Sequence, residues 1–159
     1  MPDVPKEYPV WFSVPGQGAN LRMVGPGLHV GSEYAPMEMD WCAVLDLYGA
    51  ALGVARVYRY GRAEEVVSLP MLDGTAIPEA TLNMASDMYK ACRGRPFLVH
   101  CAAGLSRSAS VAYALLRKHH GCVHVRALRR IQTPGCSGFP MEQTLQSARA
   151  WAERSTPHS

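Results

Sequence analysis

The chain has no apolar run long enough to cross a bilayer. The longest near-apolar stretch, Trp41 to Ala55, is interrupted by Asp46 and falls well short of the ~20 residues that a membrane helix needs. The N-terminal MPDVPKEYPVWF puts prolines and charges where a secretory leader needs an apolar core, so no export signal is predicted. None of the five cysteines, Cys42, Cys92, Cys101, Cys122 and Cys136, belongs to a CxxC pair, and their density is too low for a small disulfide scaffold, which predicts reduced thiols. Charge of one sign is scarce as well. The formal net charge is +3 and the arginines are dispersed, not gathered in a tail, which argues against a large nucleic-acid footprint. There is no internal repeat and no low-complexity tract. These absences predict a cytoplasmic, soluble protein without membrane or nucleic-acid partners, and leave a small anionic substrate open.

What is present suits one compact domain. The 159 residues are 48% hydrophobic and 18% charged, enough to bury a core but not to build two domains. Short apolar runs bounded by turn residues predict strands at 28–34 (LHVGSEY), 42–47 (CAVLDL), 54–58 (VARVY), 65–70 (EVVSLP) and 97–99 (FLV). Helical spacing follows Pro78 in 79–91, where Leu82, Ala85 and Tyr89 share a face. The almost uniformly small or apolar 107–119 predicts a helix buried on most sides, and Met141, Thr144, Leu145, Ala148 and Trp151 mark an amphipathic one. Strands alternating with helices, then helices clustered last, predict an α/β domain with a central, mostly parallel sheet of about five strands flanked by helices. Residues 1–27, rich in proline and without periodicity over the first twenty, are expected as an extended arm packed on a domain of residues 28–151. Residues 152–159 are expected as a short tail.

The stretch that carries chemistry is LVHCAAGLSRSAS, residues 98–110. With a strand before it and a helix starting near Arg107 after it, residues 101–107 form a loop whose backbone N–H groups can curl around an anion. The helix N-terminus adds a field that favours negative charge there. The same field favours a thiolate at Cys101, since thiols so placed titrate at roughly 3.5 to 7.5 in place of about 8.5. Ala102, Ala103 and Gly104 let the backbone approach a ligand, and Gly104 permits a positive φ. Arg107 supplies a planar fork for two phosphate oxygens. A Cys-x5-Arg spacing alone is weak evidence, but here it stands inside His-Cys-x-x-Gly-x-x-Arg-Ser between a strand and a helix. The competing reading is a buried structural cysteine at a strand end.

At HCAAGLSRSAS the sequence resembles the cysteine-dependent protein tyrosine phosphatase superfamily, and in particular its small, atypical dual-specificity phosphatases. LHVGSEYA, AVLDLYGA and LPMLDGT resemble further parts of the family, so the likeness spans most of 28–151, which the resemblance makes the catalytic domain. It implies Cys101 as nucleophile, Arg107 as phosphate clamp, Ser108 as the hydroxyl that helps the thiolate leave, His100 as loop organiser and Asp73 as general acid. Ala102, Ala103, Gly104, Leu105 and Ser106 would form the phosphate loop with Arg107. Among the five aspartates, Asp73 alone lies on a glycine-containing loop after a strand, where an acid could reach over a pocket. Its competing role is an Asp-Gly turn. Asp46, inside a strand-like run, is the next candidate. TPGCSGFP keeps Gly138 and Phe139 but has Cys136 where this family usually has asparagine. Arg126, Arg129 and Arg130 form a basic stripe opposite Ala127 and Ile131, either a solvated face or a second anion site.

The implied reaction is hydrolysis of phosphotyrosine, with phosphoserine and phosphothreonine as further candidates, through a cysteinyl-phosphate and with no metal or organic cofactor. The alternatives are a phosphatase of inositol phosphates or RNA 5′-phosphates, and a phosphate-binding module without turnover. The uncharged 102–106 segment disfavours polyanionic substrates, and the presence of Cys101, Arg107 and Asp73 together disfavours a module that only binds. A phosphorylated protein is therefore the expected partner.

Overall fold

A computed structural model of the chain describes residues 10–14, 19–50, 60–104, 106–132 and 140–155, with side chains over 21–50, 60–104, 106–132 and 140–154. Its strands are β1 (Val10–Val14), β2 (Ala19–Gly25), β3 (Leu28–Gly31), β4 (Trp41–Asp46), β5 (Ala63–Ser68) and β6 (Phe97–His100). Its helices are α1 (Glu79–Cys92), α2 (Arg107–His120), α3 (His124–Ile131) and α4 (Glu142–Ser155), with a 3-10 turn at Ala35–Met37. The six strands form one sheet in the order β1-β2-β3-β6-β4-β5. β3, β6, β4 and β5 run parallel, and β1 and β2 add two antiparallel strands at one edge.

The expected arm is thus extended but belongs partly to the sheet, since 10–14 and 19–25 are strands inside 1–27. The four prolines that argued for a surface arm, at 2, 5, 9 and 15, lie outside the described residues. Residues 54–58, expected as a strand, lie outside the described residues. The chain end differs as well. α4 continues through Ser155, with Trp151 and Ala152 buried, so residue 152 belongs to the helix and not to a tail.

β3, β4 and β6 of the parallel core bury both faces, as continuous apolar runs predict, while β5 at the sheet edge leaves Glu64 and Glu65 exposed. In β6, Phe97 and Val99 point into the larger core with Val30, Leu45 and the helices, while Leu98 packs on the other face with Leu21, Trp41, Val44 and Tyr60. α2 is the buried centre of the helical layer, with every residue from Arg107 to Leu116 inside. Each fully buried aliphatic side chain there contributes about 1.5–3 kcal/mol, so the start of α2 is a stiff platform. The register aligns Gly31 with His100 and Asp46, and Asp46 with Ser68, at the C-terminal edge of the parallel strands. Since β6 lies between β3 and β4, the turn from β6 into α2 opens at the middle of that edge, where parallel sheets place their ligands.

Candidate active site

Cys101 follows β6 directly and is buried. Its N–H donates to the Gly31 carbonyl at 3.3 Å, and the Ala102 carbonyl accepts from the Glu33 N–H at 3.1 Å, so the loop is fastened to the end of β3. Gly104 has a φ of 78°, and a Cβ built on it would lie 2.8 Å from the Gly31 carbonyl carbon. Both the backbone conformation and the lack of space demand glycine. Gly104→Ala is therefore expected to displace the loop from β3 and lower thermal stability by about 1–3 kcal/mol. A calorimetric scan reads that loss, and an unchanged melting temperature would contradict the close packing. Leu105 lies outside the described residues.

Around the sulfur, the Gly104 N–H donates to Cys101 Sγ at 3.3 Å and Ser108 Oγ lies 3.3 Å away. The Ser106 hydroxyl accepts from the Met141 N–H at 2.9 Å and ties the loop to the start of α4. A cavity of about 130 Å³ is lined by Cys101, Ala102, Ala103, Ser106, Arg107 and Asp73. Arg107 Nη1 donates to the Met71 carbonyl at 2.8 Å, with the Leu47 carbonyl at 3.4 Å, and the guanidinium stacks over Tyr48 at 5.6 Å. Its buried Nε has no hydrogen-bond partner among the described residues and lies 3.9 Å from Asp73 Oδ1.

Asp73 makes a turn contact and also lies at the cavity. Its Oδ1 accepts from the Gly74 N–H at 3.1 Å, a turn contact, while the side chain stays 55% exposed at the rim of the cavity. Its loop is anchored on both sides: the Met71 N–H donates to the Leu47 carbonyl at 3.1 Å, Thr144 Oγ1 to the Thr75 carbonyl at 2.8 Å, and the Ile77 N–H to Ser147 Oγ at 2.8 Å. A second cavity of about 360 Å³, lined by Tyr48, Pro70, Met71 and Leu72, shares Asp73 and Arg107 with the first. Asp46, by contrast, is fully buried and accepts from the Tyr48 and Gly49 N–H groups, both at 2.9 Å, and from Ser68 Oγ at 2.8 Å. It cannot reach the cavity as an acid. His100 does not line the cavity. It is wholly buried, with Nδ1 donating to the Cys101 carbonyl at 3.3 Å and Nε2 meeting the Tyr60 hydroxyl at 2.6 Å and Asp46 at 3.5 Å.

Sequence reasoning missed Arg22 and Tyr60. Arg22 lies in the segment expected as an arm, yet its side chain is fully buried and bonds to the loop. An arginine between apolar neighbours, LRMV, was the only signal. The basic stripe is not a continuous face, because Arg130 is buried, Arg126 half-buried and only Arg129 exposed. Cys136, Gly138 and Phe139 lie outside the described residues. Among the described residues, no group of three or more His, Cys, Asp or Glu could hold a metal ion, and no helix is long and apolar enough to cross a membrane.

The chain has the fold of solved tyrosine and dual-specificity phosphatases. It superposes on Tk-PTP in its active form with a TM-score of 0.70 at 22% identity, covering 85% of this chain and 97% of that one. Human DUSP28 matches with a TM-score of 0.69 at 22% identity over 84% and 93% of the two chains. A human tyrosine phosphatase-like serine/threonine/tyrosine-interacting protein matches with 0.68 at 15% identity over 84% and 96%. No family model matches the sequence, and no curated protein matches it in a sequence comparison.

Proposed function

We propose that the chain is a cysteine-dependent phosphomonoester hydrolase of the dual-specificity type. It would act in the cytoplasm on phosphorylated proteins, with phosphotyrosine as substrate and phosphoserine and phosphothreonine as further ones. The observation that carries this reading is the convergence of Cys101 and Arg107, from the two ends of one loop, and Asp73, from a separate loop, on one cavity of about 130 Å³. A fold shared with a phosphatase-like interacting protein does not decide between turnover and binding alone, whereas a nucleophile, a cation and an acid around one cavity favour turnover.

In the first step the Cys101 thiolate attacks phosphorus. The S–P bond forms as the P–O bond to the leaving group breaks, and Asp73 gives its proton to the departing oxygen. Loop N–H groups and the Arg107 fork hold the non-bridging oxygens as charge builds on them. In the second step Asp73, now a carboxylate, takes a proton from water as the water oxygen bonds to phosphorus and the thiolate departs, aided by the Ser108 hydroxyl. Every group in these steps is a side chain or backbone amide of this chain, or water. Rapid acid quench during turnover of an aryl phosphate should trap phosphate on the peptide that contains Cys101, read by mass spectrometry. Steady turnover with no phosphopeptide would remove the covalent step.

Arg107→Lys should lower kcat/KM by roughly 10- to 100-fold, because a point charge cannot replace the fork. Part of that loss is positional, since the lysine would also give up the bonds that hold the side chain between Met71 and Leu47. Activity within a factor of two of the wild type would remove the clamp role.

A further inference from the structure

Arg22 stands in β2, next to the sheet edge and away from both cavities, and its side chain is fully buried. Taking a guanidinium out of water costs several kcal/mol unless its donors and its charge are used. Both terminal nitrogens donate, one to the loop and one to the helix behind it: Nη1 to the Gly104 carbonyl at 3.0 Å and Nη2 to the Ile131 carbonyl, at the end of α3, at 2.9 Å. Gly104 is also the residue whose N–H donates to Cys101 Sγ. The Gly104 carbonyl and N–H belong to consecutive peptide planes that meet at its Cα, and a Cβ built there would lie 2.8 Å from the Gly31 carbonyl carbon, so Arg22 anchors a closely packed turn that carries this N–H.

We propose that Arg22 is a positioning residue for the nucleophile: by holding the Gly104 carbonyl it anchors the turn whose N–H faces Cys101 Sγ, and its buried positive charge favours the thiolate. The proposal rests on the reading of Cys101 as nucleophile. Burial pulls the Arg22 guanidinium down to about 10, still charged at neutral pH, and the charge of Cys101 pulls the other way. Other groups also face the sulfur. Arg107 and Asp73 line its cavity, the Ser108 hydroxyl is in contact, and His100, paired with Asp46, bonds to the Cys101 carbonyl. Arg22 differs from Arg107 in lining neither cavity, so it acts through the loop and not through substrate.

The test is the pH dependence of iodoacetamide alkylation at Cys101, mapped by mass spectrometry, in wild type, Arg22→Gln and Arg22→Lys. Mapping separates Cys101 from the other thiols, of which Cys92 is pushed up to about 12 by burial and by its hydrogen bond with Cys42. Arg22→Gln keeps a donor for Gly104 but no charge, and should move the midpoint of the alkylation curve up by about one pH unit. The acid limb of kcat/KM should move with it. Arg22→Lys keeps the charge but cannot hold two carbonyls at once, and should move the midpoint by a few tenths of a unit. KM for an aryl phosphate should change by less than about threefold, since Arg22 does not reach substrate. An unmoved midpoint in the folded variants overturns the proposal even if kcat falls, because a merely structural role would lower activity without shifting the curve. Should Arg22→Gln not fold, Arg22→Lys decides alone, a raised midpoint supporting the proposal and an unmoved one overturning it. Full turnover by Cys101→Ser would remove the premise, whereas an inactive Cys101→Ser with an unmoved midpoint would remove this inference alone.

Discussion

Cys101→Ser should lower turnover of an aryl phosphate by roughly 10⁴-fold or more while leaving the protein folded and able to bind. A serine hydroxyl is not ionised at neutral pH, so the attacking anion is lost. The oxygen is smaller than sulfur but meets the same neighbours, the Gly104 N–H and the Ser108 hydroxyl, and the loop stays fastened to β3 by backbone bonds that the substitution does not touch. Binding should hold or tighten. A thiolate repels a phosphate dianion at contact distance, and an uncharged hydroxyl does not. Calorimetric titration of the variant with an aryl phosphate should give a dissociation constant no weaker than the KM of the wild type. Turnover within a factor of a few of wild type would make Cys101 a structural cysteine at a strand end, the plainer reading that its sequence position also allowed.

Cys101, Arg107 and the loop that brings them to one cavity were legible because they are local. HCAAGLSRS holds the strand end, the small residues and the helix start in one continuous stretch, and the physics of a helix N-terminus needs nothing from elsewhere in the chain. Asp73 was legible by type and loop context, but what brings it to Cys101 is tertiary: Thr144 and Ser147 of α4 and the Leu47 carbonyl hold its loop, and none of those contacts has a sequence signature. Asp46 shows the reverse. As a carboxylate near the family's early strands it looked like a reserve acid, yet the register at the sheet edge turns it inward onto two backbone amides, Ser68 and His100. The inner parallel strands β3, β4 and β6 were readable as doubly buried apolar runs. β1 and β2 were not, because this antiparallel pair at one side of the sheet shows little hydrophobic periodicity and the prolines around it mimic a loop. Arg22 was hidden for the same reason, since a lone charge in an edge segment reads as solvated until its partners, Gly104 and Ile131, are known to lie 82 and 109 residues away.

Asp73→Asn should separate the turn role of this residue from its catalytic role. The replacement amide keeps an oxygen for the Gly74 N–H, and the anchors of the loop at Leu47, Thr144 and Ser147 do not involve Asp73, so the melting temperature should change little. What the variant cannot do is give up a proton. The consequence depends on the leaving group. A phosphoserine peptide must expel an alkoxide, a poor leaving group without protonation, and its kcat/KM should fall by roughly 10²–10⁴-fold. An aryl phosphate with a low-pKa phenol departs nearly as well unprotonated and should lose no more than about tenfold. The Arg107 contact supplies one more sign. Asp73 Oδ1 lies 3.9 Å from Arg107 Nε, so removing the carboxylate charge leaves the fork freer to meet phosphate, and phosphate affinity should rise or stay level. An equal loss on both substrates would take the acid role from Asp73. Asp46 could not inherit it, being fully buried, so the proton would have to come from solvent reaching the half-exposed rim.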